Sequence, residues 1–113
     1  MEKSELIRIK IEHENPLAEF ENNIWYSSGR DYVFKKYIYQ MDDPSNRYAK
    51  LLTAIYNNPG LSRNAYRELI GAKGQCSEYF MVLSHGQLIT NGHRIGYHIT
   101  ELGIAMLIHF GLI

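Results

Sequence analysis

Several marks of specialised protein classes are missing from this chain. Its 113 residues include one cysteine, Cys76, which excludes an internal disulfide and a four-cysteine zinc site. Lys and Arg number 12, as do Asp and Glu, so the formal net charge is zero and a histone-like polybasic binder is excluded. The most apolar stretch, residues 102–113, is shorter than the roughly 20 residues that a membrane span needs. We therefore expect a globular cytoplasmic protein with no membrane segment.

Motifs of catalysis and of metal binding are missing as well. The sequence has no Gly-rich phosphate loop, no Ser/His/Asp signature and no carboxylates paired at a catalytic spacing. His93 and His98 would point to opposite faces of a regular strand, and no carboxylate or cysteine nearby completes a metal site with them. Cys76 falls on the apolar face of a predicted helix, which favours a buried residue over a nucleophile. We expect no enzyme activity, no cofactor and no metal.

The two parts of the chain differ in charge. Residues 1–44 hold six basic and nine acidic residues, whereas residues 45–113 hold six basic and three acidic ones. A split of this kind indicates two roles, and the turn-forming residues 42–45 lie at the boundary. We therefore predict an N-terminal extension over residues 1–44, which serves dimerisation or packs on the C-terminal helix. A folded domain is predicted over residues 45–113.

The second part predicts three helices, a hairpin and a final helix. Ser45, Ser62 and Thr100 are predicted to cap the first, second and last helix, because a hydroxyl accepts hydrogen bonds from the free amides of a first turn. Asn91 and Gly92 predict a two-residue hairpin turn, because both residues tolerate positive φ angles. Two apolar faces at helical spacing complete the pattern: Tyr48, Leu51, Leu52 and Ile55 in the first helix, and Cys76, Tyr79, Phe80 and Leu83 in the third.

The first part has weaker patterns. Three isoleucines between residues 7 and 11 alternate with polar residues, which predicts a half-buried strand. Asn15 followed by Pro16 predicts the start of a helix. Residues 32–41 fit either a helix or an aromatic strand, and we favour the strand on composition.

Two stretches of the second part resemble a known family. Residues 81–89 resemble the join between recognition helix and wing in a winged helix-turn-helix domain, although Gln87 is one residue more than the common pattern has. Residues 97–103, with the sequence YHITELG, resemble the Tyr-x-Leu-Thr-x-x-Gly that ends the wing in MarR-like and PadR-like regulators. The resemblance covers about residues 46–110. It implies an α+β fold of three helices, a β-hairpin wing and a C-terminal helix, preceded here by an N-terminal extension of strand or helix.

The resemblance also implies a function. In this family the recognition helix enters the major groove of duplex DNA, and the wing reaches the backbone or the minor groove. The chain is thus expected to be a transcription regulator that binds double-stranded DNA sequence-specifically. The expected base and phosphate contacts are Gln75, Ser77, Glu78, Met81, Arg63, Arg67, Lys73, His93 and Arg94. The alternative is an adaptor that binds another protein and not DNA, since the predicted third helix holds no Lys or Arg.

The last helix predicts assembly into a homodimer. It is apolar nearly all round, which is typical of a helix that is buried on more than one side. A second copy of the chain would cover the second side, and the residues expected at this interface are Leu102, Met106, Ile108 and Phe110. In the alternative, the aromatic-rich residues 1–44 fold over this helix within one chain.

Overall fold

Helices and a β-hairpin make up this α+β fold. The structure is a computed structural model that describes residues 2–25, 35–74, 76–92 and 94–113. Its elements in chain order are α1 (Lys3–Glu12), α2 (Pro16–Trp25), α3 (Arg47–Asn57), α4 (Arg63–Leu69), α5 (Ser77–His85), β1 (Ile89–Gly92), β2 (Gly96–Ile99) and α6 (Glu101–His109). From α3 onwards, the order of three helices, hairpin and helix is the predicted one. Among the described residues, no helix combines the length and the hydropathy needed to span a membrane.

Polar side chains cap the starts of three helices as predicted. Asn15, Ser62 and Thr100 each accept a hydrogen bond from the amide three residues further on, at 3.0 to 3.3 Å. These caps set the first residues of α2, α4 and α6, because each satisfies an amide that has no partner inside its helix.

The predicted Ser45 cap of α3 is wrong. Asn46 takes that place, and its Oδ1 accepts from the Ala49 amide at 3.0 Å. Ser45 instead donates from both its amide and its hydroxyl to the Asp43 carboxylate, each at 2.8 Å. These two bonds hold the pKa of Asp43 below its ordinary value. The turn that they close leaves the next residue, Asn46, in the capping position.

The predicted apolar faces of α3 and α5 meet in the core. On α3, the buried side chains include all four predicted ones: Tyr48, Leu51, Leu52 and Ile55. On α5, Phe80 and Leu83 are buried and Tyr79 is half-buried. Cys76, directly before α5, is buried in the same cluster, which is the position predicted for it. Phe20 and Ile24 of α2 complete this side of the core.

Residues 3–12 form a helix, so the strand predicted from the isoleucines at residues 7–11 is wrong. Ile9 is buried, whereas Ile7 and Ile11 are 50% and 69% exposed. In a helix, residues two apart lie on different faces, so only Ile9 can face the core. Ile9 belongs to a small apolar cluster that also contains Leu6, Tyr56, Ile99, Ile104, Ala105 and Ile108.

The strand favoured for residues 32–41 is also wrong where the structure describes it. Residues 35–38 are helical, and turns follow up to residue 45. Ile38 and Met41, three residues apart, are both buried, which is the spacing of a helical turn. The aromatic composition therefore reflected packing against the core more than strand geometry. The rest of that prediction, residues 32–34, lies outside the described residues.

α6 is buried on two sides within one chain. Leu102 and Met106 belong to the main core, while Ile104 and Ala105 face α1. The first part of the chain therefore covers this helix, as in the alternative to the dimer. This burial removes the reason given for a dimer and takes Leu102 and Met106 out of the predicted interface. Of the predicted interface residues, Ile108 and Phe110 are half-buried.

The β-hairpin turns later along the chain than predicted. β1 and β2 pair antiparallel with Gly92 opposite Gly96, so Asn91 and Gly92 belong to β1 and the predicted two-residue turn is wrong. In the described part of the hairpin, the positive φ angles are at Arg94 (69°) and Gly96 (75°). A tertiary contact explains the register. A Cβ at residue 96 would lie 2.4 Å from the backbone of Gly60, so glycine is needed there.

The loop between α3 and α4 extends the hairpin on the outer side of β2. The Gly60 amide donates to the Tyr97 carbonyl at 2.8 Å, and the Tyr97 amide donates to the Leu61 carbonyl at 3.2 Å. Tyr66 of α4 holds this loop, because its hydroxyl accepts from the Leu61 amide at 3.1 Å and donates to the Asn58 carbonyl at 2.5 Å. β2 thus lies between β1 and the loop, which fixes the hairpin against the helices.

Candidate nucleic-acid interface

α4 and α5 are consecutive short helices joined by a tight connection. Gly71 and Gly74 in this connection have φ angles of 68° and 106°, which glycine adopts without strain. α5 then begins at Ser77, and the side chain of Cys76 before it makes no capping hydrogen bond. The start of a helix carries partial positive charge from its first amides. The start of α5, next to the connection, is therefore a positive helix end.

The outward face of α5 carries three of the residues predicted to contact bases. Ser77 and Glu78 are exposed, and Met81 is half-buried. Phe80 and the other buried residues of the helix face the core. The fourth predicted residue, Gln75, lies outside the described residues. The exposed part of this face is therefore concentrated at the start of α5.

Arg63 connects α4 with both α5 and the hairpin. Its Nη2 donates to the Tyr97 hydroxyl at 3.2 Å, and its Cζ lies 5.4 Å from the centre of the Phe80 ring. The Phe80 and Tyr97 rings themselves are in contact, with centroids 4.6 Å apart. A guanidinium that bonds a hydroxyl and lies over a ring is held in place by both interactions. The charge of Arg63 is thus fixed close to the start of α5.

Two arginines flank the first turn of α5. Arg63, Asn64 and Arg67 of α4 line a cavity of about 250 Å³ together with Cys76 and Ser77. Two arginines that line a cavity beside a helix start favour an anion with several oxygen acceptors, such as a phosphate. Of the residues predicted from the sequence, the structure therefore brings Arg63, Arg67 and Ser77 together.

Comparison with family models, curated proteins and solved structures found no match. The resemblance to winged helix-turn-helix regulators therefore rests on the residues quoted above and on the order of the elements.

The remaining predicted contacts lie apart from this cavity. Lys73 is exposed on the connection between α4 and α5, and Arg94 is exposed at the hairpin turn. Neither residue lines the cavity beside Ser77. His93 lies outside the described residues. In the described part of the chain, no three His, Cys, Asp or Glu side chains lie close enough together to hold a metal ion.

Sequence reasoning missed two residues that complete this site. Asn64 lines the cavity, and the Tyr97 hydroxyl holds the guanidinium of Arg63. The first had a signal in the sequence. Asn64 lies three residues before Arg67, and residues three or four apart are neighbours on the surface of a helix. The second had none, because Tyr97 is 34 residues from Arg63 along the chain and reaches it only in the folded protein.

Proposed function

We propose that this chain binds double-stranded DNA as a sequence-specific transcription regulator, with α3 to α6 and the hairpin forming a winged helix-turn-helix. One observation carries the proposal: Arg63 and Arg67 line a cavity at the first turn of α5. The positive end of α5 and the two arginines both favour a DNA phosphate at this position. Neutralising phosphates supplies essentially all of non-specific affinity for DNA and a large share of specific affinity.

The residues next to the cavity suit the reading of bases. With a phosphate beside Ser77, the exposed start of α5 would be the part of the helix nearest the DNA. A serine hydroxyl pairs with a base or a phosphate, and a carboxylate such as that of Glu78 accepts from the amino group of cytosine. Met81, one turn further on, adds an apolar contact for a thymine methyl group. Gln75 remains the residue that we expect to pair with adenine.

The hairpin suits a wing because it is held in a fixed position. The loop at Gly60 and Leu61 is hydrogen-bonded to β2. In addition, Arg63 of α4 donates to the hydroxyl of Tyr97 on β2. A wing held in this way would place Arg94 at its tip, where we expect contact with a phosphate. Lys73 is expected to make a further phosphate contact from the connection between α4 and α5.

Assembly as a homodimer is a separate part of the proposal. A two-fold dimer would match a palindromic site, which is how helix-turn-helix proteins bind two successive major grooves. Ile108 and Phe110 are the predicted interface residues that stay half-buried in one chain. Ile108→Asp is therefore expected to split or unfold the dimer, because the carboxylate would be buried without a partner. Sedimentation equilibrium measures this, and a wild-type mass of 13.1 kDa at tens of micromolar would contradict the dimer.

A protein-binding adaptor is the second candidate function. α5, from Ser77 to His85, contains no Lys or Arg, which is unusual for a helix that enters the major groove. An adaptor would use the same exposed start of α5 for a protein partner. Binding to DNA at low salt separates the two candidates, since an adaptor has no need of phosphate contacts.

Fluorescence anisotropy with a labelled pool of random-sequence duplexes tests the proposal. We expect salt-sensitive binding, with log affinity falling linearly as log salt rises. Arg67→Ala should weaken binding to all sequences alike and lower the salt slope by about one, because one phosphate contact is lost. Arg67 is preferred to Arg63 for this test because Arg63 also contacts Tyr97 and Phe80.

The matched control is Lys3→Ala, which removes an exposed cation from α1 and should leave the affinity and the slope unchanged. An unchanged slope in Arg67→Ala would show that the cavity holds no phosphate. If the wild-type protein fails to bind the pool at tens of micromolar and low salt, DNA binding is wrong and the adaptor is favoured.

A further inference from the structure

Ile95 is a large apolar side chain exposed at the turn of the hairpin. It is 62% exposed, and it directly follows Arg94, the exposed cation that we expect at the DNA backbone. An exposed isoleucine by itself is ordinary. At this position, however, the backbone around Ile95 makes several defined contacts.

Three contacts fix the backbone around Ile95. Its amide donates to the Gly92 carbonyl at 3.1 Å. Its carbonyl lies 3.0 Å from Nε2 of His98, and this nitrogen must be the donor because a carbonyl only accepts. Gly96, the next residue, is seated against the backbone of Gly60. The backbone of Ile95 and of Gly96 is therefore tied to β1, to His98 and to the loop at Gly60.

Gly92 also makes room for the Ile95 side chain. A Cβ at residue 92 would lie 2.2 Å from Cγ1 of Ile95, so the isoleucine lies across a strand position that has no side chain. The hairpin thus carries an exposed cationic residue, Arg94, directly followed by an exposed apolar one, Ile95. This combination suits a groove with phosphates along its edges and an apolar wall of sugars.

Resting on the proposed DNA binding, we propose that Ile95 enters the minor groove and makes the wing select base pairs that lack the guanine N2 amino group. In the minor groove, A·T pairs show only acceptors, whereas G·C pairs add this amino donor. An apolar side chain that covers the guanine amino group displaces the water bonded to it. The amino group then has no hydrogen-bond acceptor, which is unfavourable. Proteins that bind the minor groove frequently insert apolar side chains into it, as wedges between base steps.

Three alternating duplexes, poly(dA–dT), poly(dG–dC) and poly(dI–dC), separate the grooves. Inosine lacks the N2 amino group but has the same major-groove groups as guanine, so the ratio of affinities for poly(dI–dC) and poly(dG–dC) isolates the minor groove. We expect the wild-type protein to bind poly(dI–dC) and poly(dA–dT) at least about fivefold more tightly than poly(dG–dC), the factor for one unsatisfied donor. Competition against a labelled random duplex in anisotropy measures the ratio.

Two substitutions assign the preference to the side chain. Ile95→Ala should bring the ratio of dI–dC to dG–dC affinity close to one. Ile95→Asn should reverse it, because the amide oxygen accepts from the guanine amino group. The matched control is Ile11→Ala, which truncates an isoleucine that is 69% exposed on α1 and should leave the ratio unchanged. Circular dichroism of each variant establishes that it is folded.

The outcomes separate this inference from the proposed function. Equal affinity of the wild-type protein for poly(dI–dC) and poly(dG–dC) would overturn the role of Ile95 and leave DNA binding standing. A preference that survives in both Ile95 variants would likewise overturn it, because another residue would then be responsible. Failure to bind any of the duplexes would contradict DNA binding itself, and the inference would fall with it.

Discussion

Replacing Tyr66 by Phe tests how the loop between α3 and α4 is held against the hairpin. The substitution removes one oxygen atom and keeps the ring, which is fully buried against Phe80 and Tyr97. The hydroxyl accepts from the Leu61 amide at 3.1 Å and donates to the Asn58 carbonyl at 2.5 Å. Without it, the Leu61 amide and the Asn58 carbonyl each lose a part-buried hydrogen-bond partner.

The magnitude follows from these two bonds. A hydrogen bond contributes about 1 kcal/mol net, so we expect Tyr66→Phe, which removes two of them, to lower the free energy of unfolding by about 2 kcal/mol. For a small domain with a urea dependence of about 1–3 kcal/mol per molar, the unfolding midpoint should fall by about 1 M. Urea unfolding followed by circular dichroism measures the change.

The matched control for this prediction is Tyr39→Phe. Tyr39 is 37% exposed, and surface substitutions usually change stability by less than about 0.5 kcal/mol, so we expect a change no larger than that. Equal stability of Tyr66→Phe and the wild-type protein would refute the reasoning, because the Tyr66 hydroxyl would then contribute nothing to holding the loop.

Three further predictions concern the helix cap, pH and the wing. Asn46→Ala should lower the free energy of unfolding by about 1 kcal/mol in urea titrations, and an equal effect of Ser45→Ala would contradict the assignment of the cap. The hydrogen bond from Arg8 lowers the pKa of Glu101 below its ordinary 4.5, so this pair should stabilise the fold above that pH and lose its effect as the pH falls through the lowered pKa. Thermal unfolding of Arg8→Ala and the wild-type protein should then converge in acid, and a constant difference would contradict the ion pair. Arg94→Ala should weaken DNA binding alike for all sequences and lower the salt slope by about one, and an unchanged slope would show that the hairpin is not a DNA-binding wing.

The elements from α3 to α6 were predictable because several local signals agree along that part of the chain. α4 and α6 each combine a hydroxyl cap with an apolar face, and their caps at Ser62 and Thr100 form as expected. In α3 the neighbouring Ser45 and Asn46 are both good caps, and only the turn at Asp43 decides between them. Local signals therefore located each helix but did not choose between adjacent capping residues.

The errors arose where contacts distant in sequence decide the structure. Three alternating isoleucines fit a strand, but α1 places only Ile9 against α6 and leaves its two neighbours exposed. Asn91-Gly92 favours a turn locally, yet the close approach of Gly96 to Gly60 moves the turn along the chain. For the same reason, the sequence showed that α6 is covered on two sides but not that α1 covers one of them.

The candidate site was predictable in part. The arginines at residues 63 and 67 and the exposed start of α5 follow from helical spacing. The contact of Arg63 with Tyr97 depends on how the hairpin packs against α4, which no local pattern encodes. Nor does the sequence show how the backbone at Ile95 is held, because its contacts come from the strands and from the loop at Gly60.

The most direct test of DNA binding through α5 and the hairpin is an amide-resolved NMR titration with a duplex that the protein binds. The ¹⁵N-labelled chain is titrated at low salt, and the chemical-shift change of each backbone amide is followed. We predict the largest changes at Arg67, Ser77, Glu78 and Ile95, with small changes along α1. The largest changes on α1 and α2, or no changes at a saturating duplex concentration, would contradict the account.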